Sequence, residues 1–350
     1  MKNLTMFGRK CGLFVFAALG FLAAFSTTTR GAGGYHITSK YVIGGSDGWD
    51  YLAVDPEGRR LYVTHTTKVE VLDADTGKLI GAVADTPGVH GVAIVRDLGK
   101  GFATDGKADK VTVFDLKTLA HISEINVGKK PDFILYDSGM REIFVADGES
   151  NQMTAIDPAS LKVLGTIDLG GGPENIMSDL KGTLWINLEK QNSFVTVDAK
   201  ALKLKKTTPL AGCQEPGPMA IDRSTRRLFI SCSANRILAV VDADEGNIIA
   251  KLPIGERVDA AMFDSDNRLI FLSAGEGIVT AIHEDTADKY TVVDTIKSMR
   301  GAKTMTIDPK TKKLFLSTAV NVPATETGPP RPSGPGAYKA GPLIVVVIEK

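Results

Sequence analysis

The sequence predicts an all-β protein, a seven-bladed β-propeller made of four-stranded antiparallel blades. A short phrase recurs seven times, in which an aromatic residue stands among aliphatic and small polar residues; the aromatics are Tyr62, Phe102, Phe144, Trp185, Phe229, Phe271 and Phe315. By subtraction they are 40, 42, 41, 44, 42 and 44 residues apart. A period in the forties, built from strand-forming residues, is typical of propeller blades.

A second marker gives the same period. An aspartate follows the third predicted strand of each of the first five blades, and a histidine takes its place in the sixth: Asp73, Asp115, Asp157, Asp198, Asp242 and His283. Because two independent markers agree, the blade boundaries do not depend on the aromatics alone.

The first blade illustrates how each unit is built. Its four strands are predicted at residues 51–54, 61–64, 69–72 and 78–83. Residues 55–58 form an Asp-Pro turn in which proline suits the second position, and residues 73–77 form a turn that ends on a glycine. One such sheet buries little surface by itself, so the aromatic residues are expected to pack between neighbouring blades.

The seventh blade is predicted to close the ring with strands from both ends of the chain. Residues 304–307, 313–317 and 343–348 supply three strands, and residues 35–43 are predicted to supply the fourth. This pairing removes the open edges that an unclosed ring would expose. Residues 33–350 are therefore expected to form one propeller domain, since a repeat protein grows by adding blades.

Residues 1–32 have the pattern of a signal peptide. A positively charged start precedes an apolar and glycine run over residues 11–25, which ends among small residues. An uncleaved anchor is the alternative, although about 15 apolar residues fall short of the roughly 20 that a spanning helix needs. The sequence predicts a periplasmic or secreted protein with no membrane span in the mature chain.

One segment interrupts the repeat. Residues 318–342 are rich in proline and glycine and are predicted to be an insertion in the seventh blade. A loop of this length is usually functional or disordered, and the sequence leaves both open.

Charge and cysteine content narrow the partners. The 41 basic and 41 acidic residues cancel, so nucleic acid is not an expected partner. After removal of the signal peptide two cysteines remain, Cys213 and Cys232, and an even pair in an exported chain predicts a disulfide. The domain is expected to be a monomer.

The phrase over residues 61–65, Leu-Tyr-Val-Thr-His, carries a family likeness. It resembles the repeated Tyr-Val-Thr-Asn phrase of the YncE-like, or YVTN-repeat, bacterial β-propellers, with His65 in place of asparagine. The resemblance extends from about Tyr35 to Lys350. It implies an exported seven-bladed propeller that binds a ligand or a macromolecule.

Two alignments of the blades predict where a ligand would bind. The residues at the start of the inner strands should surround the mouth of the central channel; the polar ones are Asp50, His90, Asp132, Glu174, Asp259 and Lys303. The residues three positions after the aromatics should lie on the same face, and the polar ones in the first three blades are His65, Asp105 and Asp147. Together these side chains are the predicted ligand-binding set.

Imidazole and carboxylate together suggest a divalent metal as cofactor. The predicted metal ligands are His65, His90, Asp105 and Asp132, because this mixture suits divalent cations and can polarise a carbonyl group. The alternative is that these residues are solvated strand ends whose carboxylates bond to local backbone amides.

The sequence thus favours an exported binding or scaffold propeller with a small ligand at the channel mouth. No catalytic residue is assigned. A metal-assisted, lactonase-like hydrolase is one alternative function. The other is a module that holds an exported protein or a cell-envelope polymer, with the insertion at 318–342 as the clasp.

Overall fold

The predicted architecture is confirmed. A computed structural model describes Met1 and residues 34–45, 48–323 and 338–350, of which residues 320–323 and 338–340 are described by their backbone only. Its strands form seven four-stranded antiparallel sheets arranged in a ring, a seven-bladed β-propeller. The predicted signal peptide, apart from Met1, lies outside the described residues.

The blades follow one another along the chain, with the first strand of each innermost. The first described strand, β1 (His36–Gly44), belongs to the last blade. Blade 1 comprises β2 (Trp49–Asp55), β3 (Arg60–His65), β4 (Lys68–Asp73) and β5 (Leu79–Val83). Blade 2 comprises β6 (Val89–Val95), β7 (Lys100–Asp105), β8 (Lys110–Asp115) and β9 (His121–Asn126). Blade 3 comprises β10 (Pro131–Asp137), β11 (Glu142–Asp147), β12 (Gln152–Asp157) and β13 (Lys162–Asp168).

The other blades repeat this order. Blade 4 comprises β14 (Pro173–Ser178), β15 (Thr183–Leu188), β16 (Ser193–Asp198) and β17 (Lys203–Pro209). Blade 5 comprises β18 (Pro216–Asp222), β19 (Arg227–Cys232), β20 (Ile237–Asp242) and β21 (Ile248–Pro253). Blade 6 comprises β22 (Val258–Asp264), β23 (Leu269–Ala274), β24 (Ile278–Thr286) and β25 (Lys289–Lys297). Blade 7 comprises β26 (Thr304–Ile307), β27 (Leu314–Pro323), β28 (Tyr338–Glu349) and β1.

Helical structure is minor in the described part of the chain. It consists of two single-turn 3-10 helices at Arg96–Leu98 and Glu189–Gln191. No helix among the described residues is long and apolar enough to cross a membrane.

The ring closes as predicted, through strands from both ends of the chain. β1 pairs antiparallel with β28, from His36 opposite Glu349 to Gly44 opposite Leu343. Tyr41 of β1 is buried and packs on Phe315 at a ring-centroid distance of 6.4 Å. This strand therefore joins the last blade both by backbone hydrogen bonds and by its side chains.

The segment at 318–342 is more regular at its ends than the proline content predicts. β27 continues to Pro323 and β28 begins at Tyr338, with Pro323 opposite Tyr338, while residues 324–337 lie outside the described residues. The inner neighbour β26 pairs only as far as Ser317, so one edge of the extended β27 is free. Proline is tolerated at such an edge because no ladder hydrogen bond is lost there.

The core lies between the blades. All seven repeat aromatics are fully buried, which confirms that they are core residues. Phe102 of blade 2 packs in one cluster with Ile143 and Val145 of blade 3, and Phe315 of blade 7 packs with residues of blade 1. Each aromatic thus fastens its blade to the next, as expected for a propeller.

The predicted disulfide is present. Cys213 and Cys232 are bonded, with their Cα atoms 5.1 Å apart and a separation of 19 positions in sequence. Cys213 lies in the loop before β18 and Cys232 ends β19, so the bond ties that loop to the end of the second strand of blade 5.

Candidate functional site

The channel mouth is defined by one repeated position on the innermost strands. Six blades place there the second residue of the inner strand, and blade 7 places there the residue just before β26. These seven residues, the mouth ring, are Asp50, His90, Asp132, Glu174, Gly217, Asp259 and Lys303. The six polar ones are those that the first alignment predicted.

Hydrogen bonds between blades hold the ring residues by their backbone. Thr104 Oγ1 of blade 2 donates to the carbonyl oxygen of Asp132 in blade 3 at 2.9 Å. Ser317 Oγ of blade 7 donates to the carbonyl oxygen of Asp50 in blade 1 at 3.2 Å. Both donors stand two residues after the repeat aromatic, so the small polar residue of the repeat phrase fixes the next ring position.

Three ring residues of blades 1 to 3 form a compact cluster. Nδ1 of His90 lies 2.7 Å from Oδ2 of Asp50 and 3.5 Å from Oδ1 of Asp132. One ligand atom from each residue lies within 4.8 Å of the others, and each side chain is about one quarter exposed. We call Asp50, His90 and Asp132 the acid–histidine cluster. It has the donors and the spacing to hold a divalent cation.

A glycine makes room for the imidazole. A Cβ atom on Gly106 would lie 2.7 Å from both Cδ2 and Nε2 of His90, closer than such atoms approach one another. Gly106 follows β7 directly, so the end of the second strand of blade 2 shapes the seat of His90.

The cluster has shifted proton affinities. The hydrogen bond to Asp50 raises the pKa of His90, against the opposing effect of partial burial. Burial raises the pKa of Asp132 to about 6, although the nearby His90 lowers it. Both His90 and Asp132 therefore bind a proton more tightly than the free side chains do.

Glu174 occupies the ring beside Asp132 and behaves differently. Burial, followed by the charges of Asp132, Glu189 and Asp259, raises its pKa to about 8. Among the described residues no lysine, arginine or histidine forms an ion pair with it. Glu174 is therefore protonated at neutral pH and can donate a proton.

The ring residues of blades 6 and 7 neutralise each other. Nζ of Lys303 forms an ion pair with Oδ2 of Asp259. Burial lowers the pKa of Lys303, but the charge of Asp259, the hydrogen bond to it and the charges of Asp50 and Glu174 together outweigh this effect, so the pKa is raised overall. Lys303 therefore stays charged and paired.

The residues from the second alignment lie in cross-strand pairs within their own blades. His65 Nδ1 is 3.3 Å from Oε1 of Glu70, and Thr112 Oγ1 donates to Oδ2 of Asp105 at 2.6 Å. His65 and Asp105 are 3% and 1% exposed, so neither is open to a ligand.

Asp147 repeats this arrangement in blade 3. Thr154 Oγ1 donates to its Oδ2 at 2.5 Å, and the side chain is fully buried. Burial raises the pKa of Asp147 to about 6 and that of Asp105 to about 7. The acid–histidine cluster therefore includes His90 and Asp132 from the predicted metal set, adds Asp50, and does not include His65 or Asp105.

A surface pocket opens beside the cluster. It has a volume of about 460 Å³. Its walls combine glycine-rich loops, one tryptophan and charged side chains: Gly48, Trp49, Asp50, Thr66, Gly88, Val89, His90, Gly106, Lys107, Lys130 and Glu149. We call it the face pocket. Sequence reasoning missed Lys107 and Lys130, although Lys130 stands only two positions before Asp132 in the repeat.

A second cavity lies inside the channel. It has a volume of about 180 Å³ and an apolar lining that includes Tyr51, Phe133, Met177, Met219 and Met262. Tyr51 and Phe133 pack edge to face with their ring centroids 5.5 Å apart. Asp259 of the mouth ring also lines this cavity, which places the apolar interior directly below the charged mouth.

Comparison with known proteins shows the fold and no more. No protein-family model matches the sequence, and no curated protein is similar to it. Similar solved structures include the Kuenenia stuttgartiensis hydrazine synthase, with a TM-score of 0.68, 18% identity, and coverage of 80% of this chain and 95% of that chain. A streptogramin B lyase has a TM-score of 0.69, 14% identity, and coverage of 90% and 98%. Both are seven-bladed β-propellers.

Proposed function

We propose that this chain is an exported binding protein that holds a divalent cation at its channel mouth and, next to it, a small ligand in the face pocket. The observation that carries the proposal is the acid–histidine cluster, in which Asp50, His90 and Asp132 bring three ligand atoms within 4.8 Å of one another. The export signal at residues 1–32 and membership of the YncE-like family are part of the proposal.

The donor set suits a cation that keeps open coordination positions. Two carboxylates and one imidazole provide three ligands, which leaves at least one position for water or for a ligand group. The cation would replace the proton that His90 Nδ1 shares with the two carboxylates. The cluster borders the face pocket through Asp50 and His90, so a bound ligand would reach the open positions.

The disulfide supports the location. Disulfides persist in oxidising compartments and are rare in the cytosol. The bond between Cys213 and Cys232 thus agrees with a periplasmic or secreted protein, as the N-terminal pattern predicts.

Metal binding tests the proposal directly. Metal-free full-length protein is titrated with calcium, manganese and zinc by isothermal calorimetry, and metal content is measured by mass spectrometry after gel filtration. We expect one tightly bound ion per chain. His90→Ala should remove this ion, because it deletes the central donor of the cluster.

The chain offers a matched control for that variant. Nδ1 of His283 lies 2.7 Å from Oδ1 of Asp285, the same distance as in the pair of His90 and Asp50, but among the described residues no second carboxylate completes a three-ligand group there. His283→Ala should leave metal content unchanged. Equal loss in both variants, or no bound metal in the wild-type protein, would contradict the proposal.

An enzymatic role is the second candidate function, and Glu174 favours it. A protonated carboxyl group with a pKa of about 8 beside a metal site is the combination that general-acid catalysis with a metal-bound water requires. The similar propellers named a lyase and a synthase indicate that this fold can carry enzymes, although fold does not determine function.

A substrate screen tests the enzymatic candidate. Lactones and simple esters are offered to the metal-loaded protein, and hydrolysis is followed by proton release. Activity that disappears both in Glu174→Gln and after chelation would support a lactonase-like hydrolase. Activity that survives either change would exclude this mechanism.

The third candidate function is the binding of an exported protein or a cell-envelope polymer, with residues 318–342 as the binding segment. Residues 324–337 of this segment lie outside the described residues, so no contact favours this role. A pull-down with envelope proteins and cell-wall polymer tests this role, when the wild-type protein is compared with a variant that lacks residues 324–337.

A further inference from the structure

We propose that the ligand of the face pocket is an organic anion, a carboxylate or phosphate joined to a flat apolar group. This inference rests on the proposed cation at the acid–histidine cluster and adds the chemical class of the ligand. Its basis is the set of other side chains that line the pocket, which includes two lysines and a tryptophan.

Two lysines bring positive charge to the pocket wall. Lys107 and Lys130 line the pocket, and among the described residues neither forms an ion pair with a carboxylate. The stem of Lys107 lies over Gly88, where an added Cβ would be 2.7 Å from Lys107 Cγ. The glycine therefore lets this side chain lie along the pocket wall.

The backbone fixes the position of Lys130. Its N–H donates to Oδ1 of Asp109 at 2.9 Å, and its carbonyl oxygen accepts from the N–H of Gly148 at 3.0 Å. Its φ of 52° lies in the left-handed region, where Gly88 stands in blade 2 with a φ of 69°. Because its backbone is held in this conformation, the side chain of Lys130 extends from a defined position at the edge of the pocket.

The net charge of the pocket and cluster side chains together with the proposed cation indicates a negatively charged ligand. Asp50, Asp132 and Glu149 contribute −3 in total, and Lys107, Lys130 and a divalent cation contribute +4, which leaves +1 with His90 neutral as a metal ligand. A cation held by Asp50 and His90 would border the same pocket that Lys107 and Lys130 line. Ammonium groups and a divalent cation converging on one space recognise an anionic oxygen group.

Trp49 supplies the apolar surface. It packs against the core cluster between blades 7 and 1 and also lines the face pocket. An indole held by the core offers a rigid flat face at low entropic cost, and Val89 adds an aliphatic contact nearby. A pocket of about 460 Å³ is large enough for a ring as well as an anionic group.

Tryptophan fluorescence gives a direct readout. The chain contains two tryptophans, and the other one, Trp185, is fully buried with its Nε1 donating to the carbonyl oxygen of Ala243 at 2.9 Å. The metal-loaded full chain is titrated with phenyl phosphate and with 2-phenylethylammonium, which share a ring and differ in charge. We expect phenyl phosphate to change the emission and to bind at least about tenfold more tightly. Trp49→Phe should remove the signal.

Charge removal completes the test. The double variant Lys107→Gln and Lys130→Gln should weaken phenyl phosphate binding at least about tenfold, while Lys129→Gln, a neighbouring exposed lysine outside the pocket wall, should not. Metal content is measured on the same samples, because neither lysine belongs to the cluster. Equal binding of the ammonium probe, or unchanged phosphate binding in the double variant of metal-loaded protein, would overturn the inference. Absence of metal in the wild-type protein would instead overturn the proposed cation site.

Discussion

Two sides of the channel mouth start from the same strand position and end with different electrostatics. In blades 1 to 3, one imidazole lies between two carboxylates, His90 between Asp50 and Asp132. In blades 6 and 7, Lys303 and Asp259 form a one-to-one ion pair. Blades 1 to 3 thus have two carboxylates for one imidazole, which leaves negative charge in excess. In blades 6 and 7 the charges of Lys303 and Asp259 cancel.

The difference indicates which side can hold a cation. The ammonium group of Lys303 already occupies the position beside Asp259 that a metal would need, and it has no lone pair with which to bind a metal. A histidine can release its proton and become a metal ligand, so the cluster of His90 can exchange a proton for a metal. We call the part of the mouth ring formed by Asp50, His90 and Asp132 the open side, and the part formed by Asp259 and Lys303 the closed side.

The largest expected effect comes from removing one carboxylate on the open side. Asp50→Asn and Asp132→Asn each keep the side-chain volume but delete an anionic ligand, so metal affinity should fall by about 100-fold or more. Asp259→Asn on the closed side should leave the affinity nearly unchanged. Calorimetric titration of all three variants checks this, and similar losses on both sides would remove the distinction between them.

Acidification should have the next largest effect. Metal binding has to displace protons from Asp132, whose pKa is raised to about 6, and from His90, whose pKa is raised above its usual value by Asp50. Affinity should therefore fall as pH decreases through this range, by about tenfold per pH unit for each proton displaced. Titrations between pH 8 and pH 5, buffered without chelating ions, measure the slope. A flat profile would indicate that the ion binds elsewhere.

Crowding the imidazole should have a smaller effect. Gly106→Ala places a Cβ against His90 and should tilt the ring away from Asp50 and Asp132, which weakens metal binding by about tenfold. Gly148→Ala is the matched control, because a Cβ there would have its nearest neighbour at 3.6 Å. Equal affinities of the two variants would show that the seat of His90 tolerates an added methyl group.

Breaking the disulfide should affect stability and leave metal affinity unchanged. Cys213→Ser with Cys232→Ser opens a loop of 19 residues in blade 5, away from the open side of the ring. We expect a loss of about 3 kcal/mol in the free energy of unfolding from the chain-entropy model. Denaturant unfolding and calorimetry measure the two quantities separately. A fall in metal affinity would mean that blade 5 supports the cluster.

The sequence predicted the fold, and it predicted which residues share one level of the channel mouth, for a definable reason. A repeat period locates equivalent positions, so aligning the first hairpins was enough to predict Asp50, His90 and Asp132 at one level of the channel. The closing strand and the disulfide were also predicted. A three-stranded last blade needs one more strand from the other end of the chain, and two cysteines can form only one disulfide.

The second alignment shows what a period leaves open. Asp105 lies at a strand end like the other candidates, but Thr112 on the next strand holds it in a buried pair. Thr112 stands seven residues after Asp105 and is not part of the repeat phrase. The repeat spacing therefore predicts where Asp105 lies, but not that Thr112 contacts it. Lys107 and Lys130 were missed for a related reason, because they belong to loops whose approach to the cluster depends on the ring geometry.

The most direct test of the central claim is to locate the metal. Crystals of the metal-loaded protein, measured at wavelengths on both sides of the absorption edge of zinc or manganese, give an anomalous difference map. We predict one strong peak within coordination distance of His90 Nδ1, Asp50 and Asp132. A stoichiometric peak at another site, such as the pair of His283 and Asp285, would contradict the account, as would a mouth ring without a peak in fully loaded crystals.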